Sequence, residues 1–162
     1  MDQPPYVAVC GGGAFEQNAA TVAEQVGAEL ARRGAVVLCG GLGGVMESVC
    51  KGARSVGGLS VGLLPGEDRG DANDYVDVAL PTGLGEMRNM LLVRASDVVI
   101  AISGEFGTLS EVAFALRLRI PVVGLDTWEL HRRGERDDTI HRATDAAGAV
   151  DKAFELLDAV RR

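Results

Sequence analysis

The 162-residue sequence predicts a single α/β domain over residues 1–162, with a doubly wound parallel sheet between two layers of helices. Three observations predict this fold. Short apolar runs alternate with longer segments whose apolar residues follow the helical period. The run Val98–Ile102 is apolar throughout and rich in β-branched residues, which is typical of a central parallel strand covered on both faces. Glycine clusters follow three of the runs, where strand-to-helix turns are expected.

The first half of the chain is predicted to contain three strands and two helices. Each strand is predicted from a run of mainly apolar residues. Each helix is predicted from apolar residues spaced three and four positions apart, and a glycine marks its end. The predicted elements are a strand at 6–10, a helix at 18–33, a strand at 35–39, a helix at 45–56 and a strand at 59–64.

The second half continues the alternation, so the whole pattern is Rossmann-like with three layers, αβα. Prolines, glycines and charged residues separate its elements. The predicted elements are a polar loop at 65–74, an extended segment at 75–80, a helix at 84–95, the strand Val98–Ile102, a helix from Thr108, a strand at 120–125, a charged loop at 126–138, a strand around Ile140 and a helix from Thr144–Asp145 to the chain end.

The turn after Val98–Ile102 is predicted to open directly into a helix. Gly104 and Gly107 free the backbone, and the stretch from Thr108 to Glu111 fits a capping box, in which the threonine hydroxyl accepts a helix N–H and the glutamate reaches back. A helix that begins this way points free N–H groups and its positive dipole end at the carboxyl edge of the sheet. Ligands of open parallel sheets bind at that edge, and such a helix start suits a phosphate.

The composition and charge of the chain disfavour several classes of function. The formal charge of −7 and the pI near 4.8 disfavour a nucleic-acid polymer as partner. Mean hydropathy is +0.14, and no apolar run approaches the ~18 residues of a membrane span, so we expect a cytoplasmic protein without a membrane partner. The three cysteines, Cys10, Cys39 and Cys50, have no CxxC spacing, which favours free, mostly buried thiols over a disulfide framework or a zinc site.

The three glycine clusters have two interpretations. Tight strand-to-helix turns need glycine for steric reasons whether or not a ligand binds. However, the clusters follow strands ending at Cys10, Cys39 and Ile102, and all three would lie on one edge of the sheet, which favours a nucleotide or phosphate site. They match neither the P-loop signature, which needs a lysine, nor the GxGxxG signature of dinucleotide-binding folds.

Arg88 and Glu111 are the candidate charged pair, since they are predicted on consecutive helices that flank one strand. An arginine offers a fork of donors for a phosphate or ribose oxygen, and a glutamate at a helix start can act as a base or stabilise a cation. The alternatives are an ion pair at a surface or interface for Arg88 and the helix cap alone for Glu111. We expect the Arg88 side chain to face the cleft rather than the core.

Several separate motifs carry a resemblance to a known family. They are Gly40-Gly41-x-Gly43-Gly44-Val45-Met46-Glu47, Thr82-Gly83, Arg88-Asn89, Ser96-Asp97 and Gly104-x-x-Gly107-Thr108-x-x-Glu111. Over about residues 6–125 this order resembles the LOG-like (lysine-decarboxylase-like, SLOG) family. The family includes phosphoribohydrolases that release a base from nucleoside 5′-monophosphates, and its neighbours are molybdenum-cofactor carriers. The resemblance implies that Arg88 and Glu111 correspond to the catalytic pair of the hydrolases.

The chain departs from the hydrolase branch at three positions, and it resembles the carrier-like branch more closely through Asn89 together with residues 57–66 and 81–83. The hydrolase signature, Pro-Gly-Gly-x-Gly-Thr-x-x-Glu after an Arg-Lys pair, has proline where this chain has Ser103, glycine where it has Glu105 and lysine where it has Asn89. A carboxylate at Glu105 would weaken anion binding unless it turns to solvent or pairs with an arginine. Pyridoxal-phosphate lysine decarboxylation needs a Schiff-base lysine, and neither Lys51 nor Lys152 is predicted at the carboxyl edge.

The leading hypothesis is therefore a LOG-like nucleotide-binding protein that hydrolyses the N-glycosidic bond of an AMP-like nucleoside 5′-monophosphate, with no cofactor or metal required. The alternative is a non-catalytic carrier of molybdenum cofactor, a phosphorylated pterin, and a third reading is an interaction domain with purely structural glycines. Arg88 and Glu111 would be catalytic in the hydrolase. The predicted ligand-binding residues are Gly11, Gly12, Gly40, Gly41, Gly43, Gly44, Met46, Thr82, Gly83, Asn89, Ser103, Gly104, Gly107 and Thr108.

Self-association is a further expectation. The predicted helices around Arg88 and Glu111 carry apolar residues on more than one face, which is more than one contact with the sheet would cover. These residues are Met87, Met90, Leu91, Leu92, Val112, Phe114, Ala115 and Leu116. The family resemblance likewise implies a homodimer or a dimer of dimers.

Overall fold

Strands and helices alternate along the chain, as the sequence predicts. The computed structural model describes residues 3–160. The strands there are β1 (Tyr6–Gly11), β2 (Val36–Cys39), β3 (Leu59–Leu64), β4 (Val78–Pro81), β5 (Val98–Ile102), β6 (Val122–Leu125), β7 (Leu130–Arg132), β8 (Glu135–Asp137) and β9 (Ile140–Ala143). The α-helices are α1 (Gln17–Arg32), α2 (Val45–Ser55), α3 (Arg88–Arg94), α4 (Phe106–Leu118) and α5 (Ala146–Val160), and short 3₁₀ helices lie at Arg69–Asp71 and Gly85–Met87.

Seven of these strands form one sheet in the order β4-β3-β2-β1-β5-β6-β9, and every neighbouring pair is parallel. The strands β2, β1 and β5 lie at its middle, which confirms the predicted arrangement. Since parallel strands all end at the same edge, the glycine loops after these three strands lie side by side.

Helices cover both faces of the sheet, which confirms the three-layer prediction. Alternate residues of β1 point to opposite faces: Val7 and Val9 pack with α1, α2 and α5, and Ala8 and Cys10 pack with α3 and α4. Both faces of the central strands are covered, so β2 and β5 are buried along their whole length and β1 is buried except at its ends, Tyr6 and Gly11.

The helix after β5 begins earlier than the sequence indicates. Gly104 has φ +99°, and this left-handed residue completes the chain reversal, so that α4 starts at Phe106 with Glu105 at the N-cap. No side chain caps the helix there. Thr108 and Glu111 lie buried inside the helix, and the predicted capping box is wrong.

The segment predicted as one helix over residues 84–95 is split. A 3₁₀ turn precedes α3, which begins only at Arg88, because Gly83 and Gly85 have φ values of +64° and +57° that interrupt a regular helix. The consequence is that Arg88 lies in the first turn of α3.

The predicted charged loop at 126–138 contains a β-hairpin, formed by β7 and β8. Arg133 and Gly134 connect the strands with φ values of +56° and +84°, as in a two-residue type I′ turn. The strands are three residues long and mostly charged, so neither apolar alternation nor length marks them in the sequence.

The C-terminal helix begins where it was predicted. The Asp145 carboxylate accepts a hydrogen bond from the Gly148 N–H at 2.7 Å, which is the expected cap. The predicted continuation to residues 161–162 lies outside the described residues. Among residues 3–160, no helix is both long and apolar enough to cross a lipid bilayer.

An exposed apolar patch lies on and before α3. It consists of Leu84, Met87, Met90 and Leu91, with Met87 75% exposed. In contrast, Leu92, Val112 and Ala115, which were also expected at a subunit interface, are buried in the core below the patch.

We predict that the apolar patch mediates self-association, so replacing Met87 with glutamate should shift the protein toward monomer. A buried charge at a self-associating apolar surface is unfavourable, whereas the same residue on a free surface is tolerated. Light scattering at micromolar concentration measures the change. Val56→Glu adds the same charge to an exposed apolar position at the end of α2 and serves as the control. A monomeric wild-type protein would contradict the prediction.

Candidate functional site

The candidate site is an open cleft at the carboxyl edge of the sheet, of about 310 Å³, between the loop after β1 and the start of α4. We refer to it as the carboxyl-edge cleft. Its lining residues are Gly11, Gly12, Gly13, Ala14, Glu105, Gly107 and Thr108. Four of the predicted ligand-binding residues, Gly11, Gly12, Gly107 and Thr108, are therefore brought together.

The start of α4 presents free backbone donors to this cleft. The N–H of Leu109 makes the first helical bond, to the Glu105 carbonyl at 3.0 Å, whereas the amides of Phe106, Gly107 and Thr108 donate to no group of residues 3–160. A side chain at Gly104 would overlap the Thr108 side chain, so the tight turn needs glycine for space as well as for its φ of +99°. An anion is the natural partner of three free amides at a helix start.

Glycines of the first two loops also fit against each other. The Val45 N–H donates to the Gly12 carbonyl at 3.0 Å, and a Cβ on Gly44, which has φ +66°, would overlap that same carbonyl. A Cβ on Gly11 would lie 2.6 Å from Val45 and 2.7 Å from the Ile102 carbonyl. By contrast, a Cβ on Gly12 would meet nothing within 4 Å. Most of these glycines are needed for packing, and Gly12 is not.

Other predicted glycines of the second loop are fixed by similar contacts. Gly41 has φ +76° and packs against Leu64, and its carbonyl accepts the Asn73 N–H at 2.9 Å. A Cβ on Gly43 would lie 3.4 Å from the Gly13 carbonyl. These residues shape the cleft from behind rather than line it.

Arg88 is buried instead of facing the cleft, contrary to the sequence-based expectation. The residue is 7% exposed, and its Nη1 donates a hydrogen bond of 2.7 Å to the Leu63 carbonyl of β3. Its guanidinium lies against Gly40, where a Cβ would overlap both Arg88 and the Met46 sulfur. The buried Nε has no hydrogen-bond partner among the described residues. A positive charge whose buried Nε is unpaired among the described residues therefore lies against the second glycine loop.

Glu111, the acidic residue of the candidate charged pair, is also buried, with 8% of the residue exposed. Burial raises the pKa of Glu111 from 4.5 to about 7, although hydrogen bonding by the Cys10 thiol and the charge of Arg88 oppose the rise. Burial also lowers the pKa of the Arg88 guanidinium and raises that of the Cys10 thiol. Within residues 3–160, Arg88 and Glu111 form no ion pair shorter than 4.0 Å, and neither lines the cleft.

Asn89 links α3 to the start of α4. Its side-chain amide donates to the Ser110 hydroxyl at 3.2 Å, and that hydroxyl donates to the Gly107 carbonyl at 2.6 Å. Asn89 is 8% exposed, so a lysine in its place would have to bury an ammonium group. Asn89 thus positions the first turn of α4 rather than contacting the cleft directly.

Ser103 lies at the end of β5 in a conformation that proline cannot adopt. Its φ is +50°, whereas proline is confined to about −65°, and its N–H donates to the Leu125 carbonyl at 3.0 Å. The hydroxyl donates to Glu16 at 3.2 Å beside a small cavity of about 90 Å³. The loop before α4 therefore has a different backbone from one that carries the hydrolase proline.

Thr82 and Gly83 are not brought to the cleft. The Thr82 hydroxyl donates to the Leu64 carbonyl at 2.7 Å, and the Gly83 N–H donates to the Gly66 carbonyl at 2.9 Å. Both residues follow β4, the edge strand, which is separated from β1 by two strands. Their contacts hold the ends of β3 and β4 together.

Trp128 was not predicted to take part in the site. Its Nε1 donates to the Glu105 carbonyl at 3.1 Å, and its ring centroid lies 5.6 Å from that of Phe106, which is 78% exposed. The loop after β6 thereby braces the N-cap of α4. No local pattern around the residue signals this contact, and the one sign in the sequence is a lone tryptophan within a charged loop.

Metal-ligand geometry is not found in the described part of the chain, where no three or more His, Cys, Asp or Glu side chains converge. Lys51 pairs with Glu24 at 3.0 Å, and Lys152 pairs with Glu155 at 2.6 Å, both on helices away from the cleft. The site therefore consists of backbone amides and glycine surfaces, with Arg88 and Glu111 buried outside it.

The chain is similar to known proteins both in sequence and in structure. A family model described as the SLOG cluster4 family matches residues 4–153. A protein of Archaeoglobus fulgidus described as uncharacterized is 41% identical over 111 residues, 68% of this chain and 73% of its own length. The molybdenum cofactor binding protein of Rippkaea orientalis is similar in structure, with TM-score 0.85 and 32% identity over 100% of both chains. The molybdenum cofactor carrier protein of Chlamydomonas reinhardtii has TM-score 0.82 and 32% identity, covering 96% of this chain and 99% of its own.

We predict that Gly40→Ala destabilises the protein by about 1–3 kcal/mol, because the added Cβ overlaps the buried Arg88 guanidinium and Met46. Gly12→Ala is the matched control, since its Cβ meets nothing within 4 Å and should change stability by no more than about 0.5 kcal/mol. Urea unfolding of the two variants measures the difference. Equal stability of both would show that Arg88 is not held against Gly40.

Glu111→Gln should raise stability more at pH 8 than at pH 5. The pKa of about 7 in the folded state lies above the ordinary 4.5, so the folded protein binds more protons and the free energy of unfolding falls as pH rises through this window. The free energy of unfolding of the wild-type protein falls by about 3 kcal/mol across this window. Glutamine does not titrate, so the variant does not lose this stability.

Thermal unfolding of both proteins across pH 5–8 provides the measurement, with the exposed Glu47→Gln on α2 as the control. A difference between Glu111→Gln and wild type that does not depend on pH would contradict the raised pKa.

Proposed function

This chain belongs to the SLOG cluster4 family, and on that premise we propose that it is a non-catalytic binding or carrier protein for molybdenum cofactor or a closely related phosphorylated pterin. The single observation that carries the proposal is the full-length similarity to two proteins named for molybdenum cofactor binding or carriage, at 32% identity. The carboxyl-edge cleft is the proposed binding site.

The phosphate of the pterin would bind at the start of α4. Three amides there have no partner among the described residues, and glycines at positions 11 and 12 leave the opposite wall free of side chains. Backbone donors and a helix dipole favour an anion without any lysine. This arrangement fits a phosphomonoester, and it explains why the site carries no P-loop signature.

Arg88 would contribute charge from below rather than direct contact. Its guanidinium is buried beneath Gly40, and in a poorly solvated position its field is less screened than that of a surface arginine. Glu105 lines the cleft, and its negative charge would oppose an anion there. The protein is acidic overall, so the local positive charge of Arg88 matters for an anionic ligand.

The surroundings of the charged pair favour carriage over hydrolysis. An N-glycosidase acting through Glu111 would need this carboxylate beside the ribose, whereas the residue is 8% exposed and does not line the cleft. In addition, the positive φ of Ser103 gives the preceding loop a backbone that the hydrolase proline cannot adopt. The phosphoribohydrolase reading therefore serves as the competing outcome of the test.

The deciding experiment combines retained ligand and turnover. Small molecules released from the purified protein are identified by mass spectrometry, and a pterin is also detected by its fluorescence after oxidation. In parallel, the protein is incubated with AMP, and chromatography measures free adenine. We expect bound pterin and no adenine. Adenine release that Glu111→Gln abolishes would replace the carrier assignment with the hydrolase.

We predict that Gly12→Asp lowers pterin binding at least tenfold, because it places a carboxylate in the cleft that the phosphate would occupy; a loss of ~1.4 kcal/mol suffices. The variant should fold normally, since a Cβ at this position meets nothing within 4 Å.

The charge-matched control is Gln25→Glu, on an exposed part of α1 away from the cleft, and it should bind like wild type. Binding is measured by equilibrium titration with oxidised pterin phosphate. Equal affinities of the two variants would place the ligand elsewhere.

A further inference from the structure

Two of the three cysteines lie side by side in the core. The Sγ atoms of Cys39, the last residue of β2, and Cys50, in the middle of α2, are 3.4 Å apart. Both side chains are fully buried, and both thiols are free. Cys10 packs on the opposite face of the sheet, beside Glu111. The fold thus creates a thiol pair that the 11-residue sequence separation does not reveal.

We propose that Cys39 and Cys50 form a redox modification site, in which a two-electron oxidant of the peroxide class converts the pair to an intramolecular disulfide. Bond formation requires the sulfurs to approach to about 2.0 Å, a change that side-chain rotation and a small shift of α2 can supply. This property is independent of the function proposed for the cleft.

The 3.4 Å contact between the two sulfurs makes Cys50 the attacking thiol. The hydrogen bond with Cys39 lowers the pKa of Cys50, and hydrogen bonding by Ser60 and Asn73 lowers it further, although burial and the charge of Asp77 oppose this. The pKa of Cys39 is raised, by its hydrogen bond with Cys50 and by burial. The thiolate is the reactive form, so the two cysteines take different roles.

One molecule of hydrogen peroxide is the only reactant that the two thiols need. The Cys50 thiolate attacks one peroxide oxygen and breaks the O–O bond, which gives a sulfenic acid and, after proton uptake, one water. The Cys39 sulfur then attacks the sulfenic sulfur, forms the S–S bond and releases hydroxide, which takes the Cys39 proton to become a second water. Two thiols lose two electrons in total, and one hydrogen peroxide gains them.

The disulfide would act on the second glycine loop. The Gly41 N–H donates to the Cys39 sulfur at 3.3 Å. Moving this sulfur toward α2 lengthens that hydrogen bond, so oxidation is coupled to the conformation of the second glycine loop.

The test uses the reduced, native full-length protein. It is treated with hydrogen peroxide, unfolded, alkylated and digested. Trypsin leaves both cysteines on one peptide, residues 34–51, and leaves Cys10 on another, because no lysine or arginine separates Cys39 from Cys50. We expect that peptide to lose about 2 Da and to escape alkylation, with Cys10 alkylated. Glutamyl endopeptidase cuts after Glu47, and the two halves should stay joined until dithiothreitol is added.

Two variants make the assignment specific. Cys10→Ala should form the disulfide like wild type, and Cys50→Ala should show neither the mass loss nor the joined halves. If Cys50→Ala does not fold, the wild-type digest decides alone. The proposal is overturned if both thiols of the 34–51 peptide remain alkylated while Met46 on that peptide gains oxygen, or if Cys10 is oxidised first.

Discussion

A buried guanidinium is the constraint on which the centre of this structure depends. Arg88 has one hydrogen bond of 2.7 Å, to a carbonyl of β3, and the charge of Glu111, a neighbouring carboxyl with a pKa of about 7, opposes the effect of burial on its pKa. Taking such a group out of water is costly, so it persists only where the surrounding groups are fixed. The glycine at position 40 follows from accommodating it, because a Cβ there would overlap the guanidinium.

The glycine loops show that a structural and a functional explanation need not exclude each other. Gly11, Gly44 and Gly104 are required by close contacts with neighbouring backbone or side chains, and they would be glycines in an empty fold. The three helix amides stay uncovered for a separate reason, since no side chain caps α4. Gly12 is the position where space is kept without a packing reason.

The sequence allowed the order of strands and helices, the central position of three strands and the common edge of the glycine loops to be predicted, because these depend on periodicity and on parallel topology. The prediction that the helix begins at Thr108 was wrong. The capping pattern there is good, but the left-handed Gly104 completes the turn earlier, and the helix begins at Phe106. The burial of Arg88 could not be predicted, since arginine is usually exposed and its partner Leu63 is 25 residues away. The Cys39–Cys50 contact is similarly a property of the fold, as it joins a strand end to the neighbouring helix.

Trp128 gives the molecule a built-in optical label. It is the only tryptophan of the chain, and its indole N–H is bonded to the carbonyl of Glu105, the residue from which α4 starts. Indole emission responds to the polarity and hydrogen bonding of its surroundings, so the fluorescence spectrum of the unmodified protein reports on one place only, the wall of the cleft. Ligand entry and movement of the α4 start can be followed in real time without attaching a dye, and Phe106 beside the ring provides a position at which the signal can be tuned.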